Sequence, residues 1–380
     1  MKRPHAYVIS LKFSPVHKTL SFAFGKQLSH VEGTPVCYLL SHAYEWLISG
    51  PIESNSFIRY FGYSNSVRSM LIDFVAFLLW RWLALWQLFK DNPPICVYFQ
   101  NPHPLNPLVA LLAKVINRQC KVVVYIHEVT SYGVQRGFIA LYMRLVALVQ
   151  RILLRLTDDV VVSSESVKEV LCQVYPGYQK PIHIVPLLFE DFSKQTAEPR
   201  QYLTYLGRVD DNRGIQIFLD FANYCAAISF DIKFQIVTRD DISIYLATLS
   251  DEAKERLLVI NQPEISDATI AEALQRSIAC MILYKYEIMQ SGVPPVAYMN
   301  GTPVLVSSVR GLMEDVIPNQ TGVIVHSNPR MEDLLEGVKF IRANIEAMSG
   351  HCRQLFLDKF SEANWSRYYG WLLDQLKGKR

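Results

Sequence analysis

Two segments distant in the chain carry arginine, serine and glycine where a strand would give way to a helix. The first is Leu206-Gly-Arg-Val-Asp-Asp-Asn-Arg-Gly214. Gly207 lets the backbone turn closely at a strand end, Arg208 and Arg213 flank the mouth, and Gly214 opens the next helix. Two fixed positive charges beside a helix N-terminus suit a diphosphate: guanidinium groups bond bidentately and the free N–H groups add donors. Two solvated surface arginines are the competing reading. The second segment is Gln290-Ser-Gly-Val-Pro-Pro-Val-Ala-Tyr-Met-Asn-Gly-Thr-Pro-Val304. Here Gln290, Ser291 and Gly292 form a loop feeding a helix start, again an arrangement that accepts an anion. By itself such a loop is common between strand and helix.

The elements that must hold these residues alternate along the chain. Short Val/Ile-rich runs predict strands over 6–11, 95–99, 121–126, 159–163 and 182–185. Longer periodic stretches predict helices over 14–28, 105–117, 138–156 and 164–174. The polar stretch 191–200 breaks the pattern and reads as a linker. The alternation then restarts, with strands over 202–206, 234–237, 257–260, 279–283, 303–306 and 322–325 and helices over 214–226, 267–276, 293–300 and 331–348. Continuous apolar strands each followed by a helix indicate parallel sheets covered on both faces. The fold class expected is α/β, with two Rossmann-like doubly wound domains facing across a cleft. An N-terminal domain over 1–190 would bind the acceptor, and a C-terminal domain over 201–361 would bind a nucleotide sugar. A last helix over 362–380 would pack back on the first domain. Ligands of such sheets bind beyond the carboxyl ends of the strands.

Composition narrows the class. Half of the 380 residues are hydrophobic and 19% are charged, which describes a globular chain and not a disordered one. Residues 1–190 carry 18 Lys+Arg against 11 Asp+Glu, and the remainder 20 against 24. A basic first half points to an anionic partner, either a membrane surface, a lipid phosphate or nucleic acid. The chain lacks any nucleic-acid-binding motif or Lys/Arg run, so no nucleic-acid partner is expected. The seven cysteines show no CxxC and no paired spacing, which favours buried thiols over a disulfide framework or a metal site. The first thirty residues lack a secretory hydrophobic region, so a cytoplasmic location is expected.

The run over 74–89 is almost wholly apolar but is interrupted by Arg81 and Gln87. It is shorter than the roughly 20 residues that span a bilayer. Two readings stand: a buried core helix, or a helix lying in the membrane interface with its tryptophans at the headgroups. Lys121, Arg136, Arg144, Arg151 and Arg155 alternate with apolar residues and read either as a solvated face or as a basic surface touching anionic lipid.

The Leu206–Gly214 block, the Gly-Val-Pro-Pro…Gly-Thr-Pro-Val block and Val309-Arg-Gly-Leu-Met-Glu-Asp-Val316, in this order and spacing, resemble the C-terminal half of GT-B glycosyltransferases of the group 1 or family 4 type. Val122-Val-Val-Tyr-Ile-His-Glu128, Val160-Val-Val-Ser-Ser-Glu-Ser-Val-Lys168 and Ile182-His-Ile-Val-Pro186 resemble the N-terminal half more loosely. The resemblance covers the chain from about residue 95 onward and is faint before it. It implies transfer of a sugar from a nucleoside diphosphate sugar with retention of anomeric configuration. It further implies no bound metal and no cofactor beyond the donor substrate, and a glycan or lipid-linked acceptor. Arg208 and Arg213 would hold the pyrophosphate and the Ser291-Gly292 loop would bond the phosphate. His127, with Glu128 beside it, would line the acceptor side near the anomeric centre; a satisfied core histidine is the competing reading.

The chain also departs from the family pattern. Two glutamates eight positions apart are usual ahead of Gly-Thr-Pro; here Ile288 and Val296 stand at those positions, and Glu287 lies one residue off the first. Glu287 is the candidate to take that catalytic place. The glycine-rich first loop is replaced by Lys12-Phe-Ser-Pro-Val-His-Lys18, in which His17 and Lys18 could meet an acceptor phosphate or form an exposed loop. These departures leave a second function open: a non-catalytic subunit that binds a sugar nucleotide or supports a partner enzyme.

Overall fold

The computed structural model describes residues 5–11, 24–29, 33–47, 56–62, 67–100, 103–126, 129, 138–193, 199–286 and 290–377. They divide into two compact units, Met1–Leu188 with Glu362–Arg380, and Phe189–Ser361.

The first unit is built on seven strands: β1 (His5–Ser10), β2 (Val36–Leu40), β3 (Ser56–Tyr60), β4 (Pro94–Phe99), β5 (Lys121–Ile126), β6 (Asp159–Val162) and β7 (Ile182–Ile184). All pairs are parallel, in the order β3-β2-β1-β4-β5-β6-β7. The two central strands, β1 and β4, are buried at every residue. This accounts for their unbroken apolar runs, since both faces of the sheet are covered. The sequence reading passed over β2 and β3. β3 is an edge strand whose residues are only partly buried, and β2 is followed by a 3₁₀ turn over His42–Leu47 where a periodic helix would have marked it.

The apolar run over 74–89 lies inside a longer helical stretch: Val67–Ala76, a π-helical turn Phe77–Arg81, and Trp82–Asp91. Neither sequence reading describes it fully. Ala76, Phe77, Leu85 and Phe89 pack inward, while the opposite face stays exposed. Arg81, the charge that interrupts the run, donates to the buried carboxylate of Asp73 at 2.6 Å. That carboxylate seats against Gly62, where a Cβ would fall 2.4 Å from Asp73 Oδ2.

The last helix, Trp365–Lys377, belongs to the first unit. Tyr369 shares a hydrogen bond with Tyr98 at 2.8 Å. Trp371 lies flat on His183, with ring centroids 3.6 Å apart, and His183 Nε2 meets the buried Asp159 at 2.9 Å. Aromatic rings stacked on this scale contribute about 0.5–1.5 kcal/mol beyond their buried area.

The second unit carries β8 (Tyr202–Leu206), β9 (Lys233–Thr238), β10 (Leu257–Asn261), β11 (Ser277–Ile282), β12 (Val304–Ser307) and β13 (Gly322–Val325). The sheet is again all parallel, in the order β10-β9-β8-β11-β12-β13. Chain direction around the sheet reverses between β8 and β11, which makes their carboxyl ends the topological switch point. The helix expected over 331–348 is two helices, Met331–Ala343 and Ile345–Leu355. They part at Asn344, whose side chain bonds back to the Phe340 carbonyl at 2.8 Å and so competes with helix propagation. All seven cysteines are free thiols; Cys172 is exposed and the other six are buried.

Candidate functional site

At the end of β8 the backbone turns at Gly207 with φ of 121°, a conformation that side chains disfavour. A Cβ there would lie 3.9 Å from both Arg213 Nη1 and Val293 Cγ2. The bare glycine therefore leaves room between the first loop and the start of the Val293–Met299 helix. The loop itself is held from several sides. Tyr205 donates its hydroxyl to the Arg208 carbonyl at 2.6 Å, and Val209 N–H donates to Asp240 at 2.6 Å. Asp210 caps the turn by accepting from the N–H groups of Asn212 and Arg213. Gly214 closes it with φ of 71°, pressed so near β11 that a Cβ would stand 2.0 Å from the Leu283 carbonyl oxygen.

Asn212 stitches this loop to the segment following β11. Its carbonyl accepts from Lys285 N–H at 2.8 Å and its side-chain oxygen from Tyr286 N–H at 2.7 Å. The second predicted block is thereby brought to the first at the switch point.

A hydrogen-bond chain joins them. Arg213 Nη1 donates to Tyr284 Oη at 3.0 Å; Nε of the same guanidinium reaches Asp210 at 3.3 Å. Tyr284 Oη lies 3.1 Å from Ser291 Oγ in a buried setting. Guanidinium groups only donate, so Tyr284 accepts from Arg213, and its second bond, with Ser291, can run in either direction between the two hydroxyls. Ser291 Oγ also accepts the N–H of Val293 at 3.3 Å. Burial pushes the Tyr284 phenol above its ordinary pKa, against the opposing pull of Arg213. The phenol thus stays protonated.

Arg208 is exposed, and its side chain makes no hydrogen bond or ion pair with the described residues. It is a cation at the mouth, beside a second, anchored one. The helix start is poorer in donors than expected. Pro294 and Pro295 follow Val293 in its first turn and carry no N–H, so an anion would be met by Ser291 and Gly292 and not by the helix proper. Gln290 is half-buried next to them. Val296, at one of the two positions expected to be acidic in the family, packs against the apolar core.

Sequence reasoning missed Tyr284, Asp210, Asn212 and Arg200. Arg200 donates to the carbonyls of Ser277 at 2.7 Å and Gly301 at 3.0 Å, and to Ser349 Oγ at 3.1 Å. It fastens the Gly301-Thr302 turn, in which Gly301 has φ of 62°, to the edge of β11. Nothing local marks Arg200, whose partners lie far along the chain. Tyr284 had one signal, its place directly beyond the β11 run.

His127, Glu128, Glu287, His17 and Lys18 lie outside the described residues. In the first unit a small aromatic cavity is lined by Phe24, Tyr98, Gln100, Tyr125, Trp365 and Tyr369 among others. The Phe24 and Tyr98 rings stack with centroids 3.8 Å apart.

Residues 51–188 match the family model of Glycosyltransferase Family 4. The match extends into the region before residue 95, where the sequence motifs were faint, and ends at the close of the first unit. No curated protein sequence matches the chain. Among solved structures, sucrose-phosphate synthase from Thermosynechococcus elongatus is similar over 100% of both chains, at 17% identity and a TM-score of 0.72. Anabaena HepE in complex with UDP-glucose is similar over 97% of this chain and 100% of its own, at 14% identity and a TM-score of 0.67. A glycosyltransferase from Rickettsia africae is similar over 97% and 99%, at 14% identity and a TM-score of 0.68. The fold is that of the GT-B glycosyltransferases.

Proposed function

We propose that this chain is a GT-B glycosyltransferase that moves a sugar from a nucleoside diphosphate sugar to a glycan or lipid-linked acceptor. The reaction would retain anomeric configuration, without a bound metal, and serve surface polysaccharide or glycolipid synthesis on the cytoplasmic face of a membrane. The observation that carries the reading is the hydrogen-bonded chain Arg213–Tyr284–Ser291 at the β8/β11 switch point, with the exposed Arg208 side chain at its mouth unpaired among the described residues. HepE, whose structure contains UDP-glucose, has the same fold.

In this reading Arg208 and Arg213 hold the two phosphates, and the Ser291 hydroxyl and Gly292 N–H bond a phosphate oxygen. The negative charge that develops on the departing diphosphate is met by cations already in place. Pre-placed charge of this kind is usually the largest catalytic term. His127 lines the acceptor side and Glu287 takes the place of the first family glutamate.

A thermal-shift screen against UDP-, GDP-, ADP- and dTDP-sugars tests the reading, since a ligand of the native state raises its apparent stability. One nucleotide sugar should raise the midpoint, and Arg213→Ala should abolish the rise. No shift with any donor would remove the site.

A second reading, a sugar-nucleotide-binding subunit without turnover, is favoured by Val296 standing, partly buried and packed against the apolar core, where an acid is expected. Donor binding with no sugar transfer or donor hydrolysis, unchanged in Glu287→Gln, would support it over catalysis.

A further inference from the structure

One face of the first unit is apolar, exposed and edged by arginine. On the 67–91 helix, Leu79, Trp80 and Leu83 are 65%, 56% and 53% exposed. They share its outer side, opposite the inward-packed Leu85 and Phe89. The Asn106–Ile116 helix packs between this helix and Phe138–Leu156. It continues the face with Val115, 58% exposed, and Phe138–Leu156 adds Leu148 and Ile152. Patches of this extent mark interaction sites on soluble domains.

The charge around the face is one-sided. Arg144, Arg151 and Arg155 are exposed on Phe138–Leu156, in the same stripe as Leu148 and Ile152. Arg118 and Lys90 are exposed at the ends of the other two helices. The acidic groups do not balance them. Asp73 is buried against Arg81, which leaves Asp91, exposed and accepting from the neutral Gln87 amide at 2.9 Å, as the single carboxylate the three helices still present to solvent.

We propose that this three-helix face is a docking surface for a membrane containing anionic lipid. The tryptophans and leucines enter the headgroup–acyl boundary and the arginines meet lipid phosphates. The Asp73–Arg81 pair is what makes the helix suitable, because the one charge within its apolar run is neutralised inside the protein. The stretch Ile72–Asp91 is long and apolar enough to cross a bilayer by composition. Crossing would strip Leu85, Phe89 and the buried Asp73 from the unit, so the helix lies on the membrane and does not span it. A second copy of the chain is the poorer occupant, since a two-fold contact sets the same patch against itself and brings the arginine stripes together. The inference sharpens the membrane location proposed above but is separate from the transfer reaction, because vesicle binding is read without turnover.

The full chain is sedimented with vesicles of phosphatidylcholine alone and of phosphatidylcholine mixed with phosphatidylglycerol. Binding is expected to the mixed vesicles and to be weakened by salt. Leu79→Glu with Leu83→Glu should weaken it by roughly tenfold per leucine. Arg151→Glu with Arg155→Glu should weaken it by roughly fivefold per arginine and remove the preference for phosphatidylglycerol. Both double variants should keep the wild-type melting temperature within about 2 °C, as exposed substitutions do. Three results would each overturn the proposal: no vesicle binding by the wild type, equal binding by the leucine variant, or a wild-type dimer that the leucine variant dissociates while vesicles go unbound.

Discussion

Arg213 rests on Tyr284, its guanidinium carbon 5.3 Å from the ring centroid and its Nη1 donating to the phenol oxygen at 3.0 Å. The contact fixes a cation that would otherwise sample many rotamers, and orders it without neutralising it. Asp210 caps the backbone through Oδ1 and pairs with the Arg213 Nε through Oδ2 at 3.3 Å. A ligand diphosphate thus meets a charge whose ordering entropy is already met by the fold.

Removing that charge should be felt at the donor. Arg213→Ala should weaken nucleoside diphosphate binding by about 1.5–3 kcal/mol, the scale of a hydrogen bond to a charged group, or roughly 10- to 100-fold in Kd. Tyr284→Phe keeps the cation but loosens it and breaks the relay to Ser291, so a loss of about fivefold is expected. Isothermal titration calorimetry on both variants separates the two. Equal affinity in Arg213→Ala and wild type would take the diphosphate away from this loop.

Gly214 should tolerate no side chain. Its left-handed backbone costs an ordinary residue about 1–2 kcal/mol, and a Cβ would stand 2.0 Å from the Leu283 carbonyl oxygen. Gly214→Ala should lower the denaturation midpoint by more than the backbone cost alone, while Gly350→Ala, with nothing near its Cβ position, should not. Equal midpoints in the two variants would contradict the close approach.

Arg200 ties the Gly301-Thr302 turn to β11 through several carbonyls. Arg200→Met should cost about 2 kcal/mol or more, because buried carbonyls lose their donor. Denaturant unfolding measures it. A change below about 0.5 kcal/mol would place that segment's stability elsewhere.

Asp191 and Arg353 supply a pH-dependent contact within the second unit. Burial of Asp191 would raise its pKa, but the hydrogen bonds from Arg353 and Ser193 outweigh this and hold the carboxyl below its usual range. A depressed carboxyl stabilises the fold above its unfolded pKa of about 3.9, and the contribution disappears as pH falls through the folded value. With both side chains about one-third exposed, less than about 1 kcal/mol is at stake. Asp191→Asn should lower the melting temperature at pH 7 and converge with wild type in strong acid. Parallel curves across the acid range would mean that Asp191 is not coupled to folding.

Much of the fold was legible because burial on both faces leaves a residue-type signature. Val122–Val124 and Val304–Val306 are strands that can be read from composition alone, since only a covered parallel sheet holds such runs. β3 was not legible, because an edge strand with Arg59 exposed and Ser56 half-buried carries neither a continuous nor an alternating pattern. In the candidate site, Gly207, Arg208, Arg213, Ser291 and Gly292 could be named from their places at strand ends. Tyr284 could not be assigned a role, because its partners on either side come from different loops.

What the sequence determined by itself was the class of unit and the chemistry available at its strand ends: apolar runs that demand a sheet, and cations and glycines that follow them. Tertiary structure decided which of those ends meet. The strand order of the second sheet sets β8 beside β11, and only then do Arg213, Tyr284 and Ser291 become one hydrogen-bond chain. It also decided that Arg81 is neutralised by Asp73 while the Arg208 side chain is left unpaired among the described residues. Residue types and spacing specify local periodicity and propensity. Pairing, burial and the satisfaction of each charge depend on contacts between segments distant in the chain, which no local pattern contains.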